Sequence, residues 1–99
     1  MKTKTIEELE QIFKILGNKQ RLTILELLKS NSLSVSEIMN LLNMEQSAVS
    51  HQLKLLREAK LVQTVKRGRV VLYSLSDSHI LILLENASKH VDHAFNSNE

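Results

Sequence analysis

At Leu61 the spacing of the apolar residues changes, and that change constrains the fold more than anything else in the chain. Up to this point apolar side chains recur every three or four residues. Beyond it, "LVQTVKRGRVVLYSL" is rich in β-branched residues and has Gly68 at its middle. The first spacing belongs to amphipathic helices and the second to a hairpin of two strands, roughly 61–66 and 70–75. Upstream, Ile6, Leu9, Ile12, Phe13 and Leu16 predict a helix over 5–16 with acids in its first turn. Gly17 ends it, and Asn18 can cap a second helix over 19–29. The polar run "KSNSLS" breaks that helix, and Ser34 or Ser36 can cap a short one, "VSEIMNLL". "NMEQ" is a turn, and "QSAVSHQLKLLREA" is a fourth helix. A last helix starts near Asp77 and runs to about Phe95. The expected order is α-α-α-α-β-β-α in one domain, 1–99, since 99 residues are too few for two full cores. A short helix, a tight turn and a second helix followed by a hairpin make a winged helix-turn-helix: mainly α, with a β-hairpin wing.

Charge gives this plan a partner. Net charge is only +2, yet Lys54, Arg57, Lys60, Lys66, Arg67 and Arg69 fall between 54 and 69 against one acid, Glu58. Such a segment favours a polyanion, most simply double-stranded DNA. The fourth helix would present Gln46, Ser47, Ser50 and His51 to base edges and phosphates in the major groove. Lys54 and Arg57 continue along it and suit phosphates. Lys66, Arg67 and Arg69 occupy the wing tip, where they can straddle the backbone or enter a minor groove. The competing reading makes the serines and the glutamine helix caps and the basic tip a solvated surface.

The histidines raise a separate question. Three of the four lie in "DSHILILLENASKHVDH", as Asp77 with His79 and then His90 with His93. From His79 to His90 a helix rises roughly 16 Å, whereas zinc donors must all lie about 2 Å from the ion. One helix cannot close that site. Eleven residues do, however, bring the helix to within about 20° of the same face. An antiparallel copy, crossing near Leu84 or Glu85, would set each N-terminal pair beside the partner's C-terminal pair. Two equal inter-subunit sites follow from the two-fold axis. Ile80, Leu83, Leu84, Ala87 and Val91 would form the seam, with Ile6, Leu9 and Phe13 of the first helix, giving a homodimer through first and last helices. Three imidazoles and a carboxylate suit Zn(II) first, Co(II) second and Ni(II) third. The bland alternative leaves Asp77 as an N-cap and the histidines as exposed polar residues.

The chain contains no cysteine, which excludes disulfides and thiolate metal sites. "MKTKTIEELEQ" lacks a signal-peptide core and "HILILL" is far shorter than a membrane span, so a soluble, cytoplasmic protein without membrane contact is expected. The segments "LGNKQRLTILELL", "SVSEIMNLLNMEQSAVSHQLKLLREAKLV" and "RGRVVLYSL" resemble the winged-helix repressors of the ArsR/SmtB family over about residues 8–94. The resemblance implies a homodimeric repressor that releases operator DNA when a metal ion or other inducer binds. Asp77, His79, His90 and His93 match the last-helix pattern of its zinc- and cobalt-responsive CzrA-type subgroup, which implies control of metal efflux. The absence of thiols disfavours arsenic, cadmium and lead. Three other functions compete: the same dimer with another inducer such as Ni(II) or with none, a zinc hydrolase, and a protein-interaction module. Four ligands would close the shell that a hydrolase must leave open, and the basic segment disfavours the last.

Overall fold

The computed structural model describes residues 1–96 and contains α1 (Thr3–Leu16), α2 (Lys19–Leu28), α3 (Val35–Leu42), α4 (Gln46–Glu58), β1 (Val62–Arg67), β2 (Val70–Leu75) and α5 (Ser78–Asn96). The last positions of the expected domain, 97–99, lie outside the described residues. The element order is the expected one, with boundaries shifted by a residue or two. One expectation fails: α1 begins at Thr3, so no acid lies in its first turn. The apolar spacing starts at Ile6 and gives no view of the polar turn before it.

Local chemistry sets the boundaries. Asn18 is extended (φ −145°), and its side chain accepts from the Arg21 N–H at 3.0 Å, capping α2. Gly17 has φ −78°, so α1 does not end there through a left-handed residue. Gly17 is nonetheless the C-cap, as expected, and its N–H bonds to the Phe13 carbonyl at 3.0 Å. Of the two serines that could start α3, Ser34 does so. Its Oγ accepts from Glu37 N–H at 3.1 Å while Glu37 accepts from Ser34 N–H at 2.9 Å, a complete capping box. Asn43, in the left-handed region (φ 52°), turns the chain from α3 toward α4.

The wing is an antiparallel pair in the register Val62↔Leu75 to Arg67↔Val70. Its two-residue loop has a positive φ (61°) at Gly68 alone, the pattern of a type II′ turn, in which the first central position favours glycine. A bridge between Leu33 and Tyr73, with N–H···O distances of 2.9 and 2.7 Å, ties the chain before α3 to the wing.

The core gathers Leu16, Ile24, Leu25, Leu28, Leu33, Ile38, Val49, Leu53, Leu56, Leu61 and Val62. Full burial of each such side chain contributes about 1.5–3 kcal/mol. The helices up to α4 and the wing base are thereby fixed together. No residue of α5 is buried. Ile80, Leu83 and Leu84 rest partly on this core, so part of the seam expected on α5 is covered by its own chain. From Glu85 to Asn96 every residue is exposed, including Val91 at 47% and Phe95 at 75%. On α1, Ile6 and Phe13 are likewise more than half exposed.

Candidate nucleic-acid interface and metal-ligand pairs

The inward face of α4 is Val49, Gln52, Leu53 and Leu56, all buried. Helical periodicity then turns Gln46, Ser47, Ser50, His51, Lys54 and Arg57 outward, and all six are exposed. The N-cap of α4, Glu45, makes no side-chain cap hydrogen bond, so it leaves the first backbone donors of the helix uncapped. Uncapped donors at a positive helix end suit a phosphate. Neither Gln46 nor Ser47 is the N-cap residue, which removes the simplest competing role for them.

Lys66, Arg67 and Arg69 are exposed at the wing tip, two at the end of β1 and one in the turn. Between α4 and the wing lies a groove of about 510 Å³ lined by Ser50, Lys54, Arg57, Glu58, Lys60 and Tyr73. Three of the residues expected to touch DNA therefore share one concave, mainly basic surface. Sequence reasoning assigned no contact to Lys60 or Tyr73. Lys60 stands in the left-handed region (φ 60°) just beyond α4, where its N–H bonds to the Arg57 carbonyl at 2.9 Å.

Sequence reasoning also missed a polar cluster behind the helix. Gln52 is the one buried polar side chain among the described residues. Its carbonyl accepts from Arg21 Nη1 at 2.9 Å, and its amide donates to Gln20 Oε1 at 2.7 Å. Arg21 Nε in turn donates to the Ile15 carbonyl at 2.6 Å. A glutamine one residue before Leu53 on an apolar helix face was the available signal.

The residues expected to bind metal lie as two separate pairs, Asp77 with His79 at the start of α5 and His90 with His93 near its other end. Asp77 Oδ1 accepts from the N–H groups of His79 (2.8 Å) and Ile80 (3.2 Å), so it does cap α5. The same oxygen lies 3.3 Å from His79 Nδ1. Capping and ligation are compatible, because all three of these contacts use Oδ1. His90 and His93 are exposed near the other end of α5, one turn apart. No group of three or more candidate ligands assembles within one chain among the described residues.

The cap makes a prediction that needs no metal. Without an acceptor at position 77, α5 should start less stably by about 1 kcal/mol, which for a domain this size is about 4–8 °C in Tm. Thermal unfolding of metal-free Asp77→Ala should show that loss, whereas Asp77→Asn, which keeps an acceptor, should stay within about 2 °C of wild type. Equal losses in both would mean that the cap is not what holds the start of α5.

Known proteins share this architecture. Residues 18–64 match the family model described as bacterial regulatory protein, arsR family. The chain is 44% identical over 78 residues to the HTH-type transcriptional regulator NmtR of Mycobacterium tuberculosis, covering 79% of this chain and 65% of the relative. The chain thus spans just under two thirds of that protein. It is 39% identical over 74 residues to the transcriptional activator HlyU of Vibrio cholerae, covering 75% and 68% of the two chains. Among solved structures, a homodimeric winged helix-turn-helix DNA-binding domain from Mycobacterium bovis superposes with a TM-score of 0.90 at 22% identity, over 96% of this chain and 88% of that one. At that identity the likeness speaks for the fold alone. No helix among the described residues is long and apolar enough to cross a membrane. With the arsR-family match across α2 to β1, the 39% identity to HlyU and the shared winged fold, the chain belongs to the ArsR/SmtB family of winged-helix transcriptional regulators, which are not enzymes.

Proposed function

We propose that this protein is a cytoplasmic, homodimeric repressor that binds operator DNA and is released by Zn(II), with Co(II) as a second effective ion and metal efflux genes as its targets. Residues 1–99 act as one domain. The observation that carries the reading is the division of labour between two surfaces. One is the exposed, basic face of α4 and the wing, bearing Gln46, Ser47, Ser50, His51, Lys54, Arg57, Lys66, Arg67 and Arg69. The other is α5, which carries a carboxylate–imidazole pair at one end and an imidazole pair at the other, with an exposed apolar stretch between.

An antiparallel partner helix fits α5 on three counts. It covers Val91 and Phe95, which are left exposed in one protomer. It unites Asp77 and His79 with the partner's copies of the histidine pair. Symmetry then makes two such sites. Asp77, His79, His90 and His93 supply three neutral nitrogens and one anionic oxygen, a donor set suited to zinc. The ion would act as a cross-link between protomers rather than as a Lewis acid.

Geometry supplies a means of release, and the family resemblance supplies its sign. Two recognition helices must meet half-sites about 34 Å apart, and the dimer helices set their separation. An ion that ties the two protomers together favours one dimer shape. If that shape has the wrong spacing, DNA and metal weaken each other by the same factor.

The test is a titration. A duplex selected by wild-type protein from a randomised pool is bound, and Zn(II) is added. Coupling of the usual size lowers DNA affinity about 5–150-fold. Tight Zn(II) binding with unchanged DNA affinity would remove the inducer role. Failure to select any duplex would remove the DNA-binding role itself. A response to Ni(II) but not Zn(II) would favour the alternative inducer.

A further inference from the structure

We propose that Arg21 and Gln52 are positioning residues that fix the rotation of α4 about its own axis and so set the aim of its outward side chains at DNA. The proposal rests on the DNA-binding reading above. Three elements meet at these two side chains. Gln52 belongs to the middle of α4, Arg21 to the first turn of α2, and the Ile15 carbonyl, which Arg21 also holds, to the last turn of α1. Gln20 closes the cluster by accepting from Gln52. Arg21 is itself anchored, since its backbone N–H is the donor to the Asn18 cap. Among the described residues no buried side-chain polar atom is left without a partner.

Position 52 is an unusual place for an amide. Its neighbours on the inward face are Val49, Leu53 and Leu56, which pack into the core. The net stability from such a hydrogen bond is modest, about 0.5–3 kcal/mol even where one partner is charged. The bond does bring direction. Apolar packing is non-directional, whereas a hydrogen bond loses its strength within a few tenths of an ångström and a few tens of degrees. Side-chain tips on a helix lie about 5–6 Å from its axis, so a rotation of about 10° moves them about 1 Å. That is enough to break a base-edge hydrogen bond. Ser50 and His51 immediately precede Gln52, so they turn with it. Because Arg21 reaches α1 as well, the reference frame for this aim is the helix that the proposed dimer uses.

The experiment compares wild type with Gln52→Met, which keeps length and shape but neither accepts nor donates in this way, and with Arg21→Lys, which keeps charge but loses the planar fork. Each is measured on the duplex that wild type selects and on a scrambled duplex of equal length, at several salt concentrations. Both variants should keep the wild-type circular dichroism spectrum. Affinity for the selected duplex should fall about tenfold, the worth of one well-made base contact. Affinity for the scrambled duplex and the salt slope should not change. Arg21→Lys alone decides the matter if Gln52→Met does not fold. Unchanged selective affinity in a folded variant overturns the proposal. An equal loss on both duplexes overturns it too, by reducing the cluster to a general structural support. If wild type selects no duplex, the DNA-binding reading fails first, and that outcome is read before any variant.

Discussion

Mixing two variants that each lack half of the metal ligands is expected to restore one tight site per dimer. One variant carries Asp77→Asn with His79→Ala, the other His90→Ala with His93→Ala. Asparagine is chosen at 77 because the Asp77 carboxylate caps α5, and an amide oxygen preserves that cap. Each homodimer then has two incomplete sites. In the mixed dimer both mutated halves meet at one end, and all four native ligands meet at the other. Binding therefore goes from no tight site to one, half the wild-type stoichiometry. Co(II) reports this directly through the intense visible absorption of a four-coordinate ion. The reason is length: α5 holds its two pairs roughly 16 Å apart, and no single chain brings three candidate ligands together among the described residues. Mixed dimers, verified by mass spectrometry, that fail to regain the signal would defeat the inter-subunit arrangement.

A charge placed at Val91 is expected to cost almost all operator affinity without touching the DNA-binding face. Val91 is 47% exposed, and no residue of α5 is buried. In the isolated protomer Val91→Asp should therefore leave the core intact. In the proposed dimer the substitution occurs twice across the seam and buries two carboxylates near apolar groups, each costing several kcal/mol. Sedimentation should show a monomer. Loss of the second half-site should then lower operator affinity by about 10²–10⁴-fold. A variant that stays dimeric would place the seam elsewhere, and a monomer that binds with wild-type affinity would break the link between symmetry and recognition.

The elements were legible because their limits are written in local chemistry. A serine at 34 or 36 announces α3, Asn18 announces α2, and Gly68 between β-branched runs announces the wing; which serine caps emerged only with the box that Ser34 forms with Glu37. The outward residues of α4 follow from the inward ones by rotation alone. Two features depended on the third dimension. Arg21 and Gln52 are 31 residues apart, and no periodicity links them before α2 and α4 pack. Ile80, Leu83 and Leu84 were read as seam, yet they lie partly on the chain's own core. Apolar spacing shows that a face is covered but not by which chain. The start of α1 was misplaced for a simpler reason: Lys2, Thr3 and Lys4 carry no apolar signal.

The far half of α5, from Glu85 to Asn96, has no buried residue of its own, and it carries His90 and His93. In the proposed assembly this couples sensing to dosage. A newly made chain is neither a repressor nor a sensor, and it acquires both abilities in the single event of meeting its twin. No stage of biosynthesis then yields a molecule that silences genes yet is deaf to metal. As protein is diluted by cell growth, the two abilities fade together, each with the square of the monomer concentration.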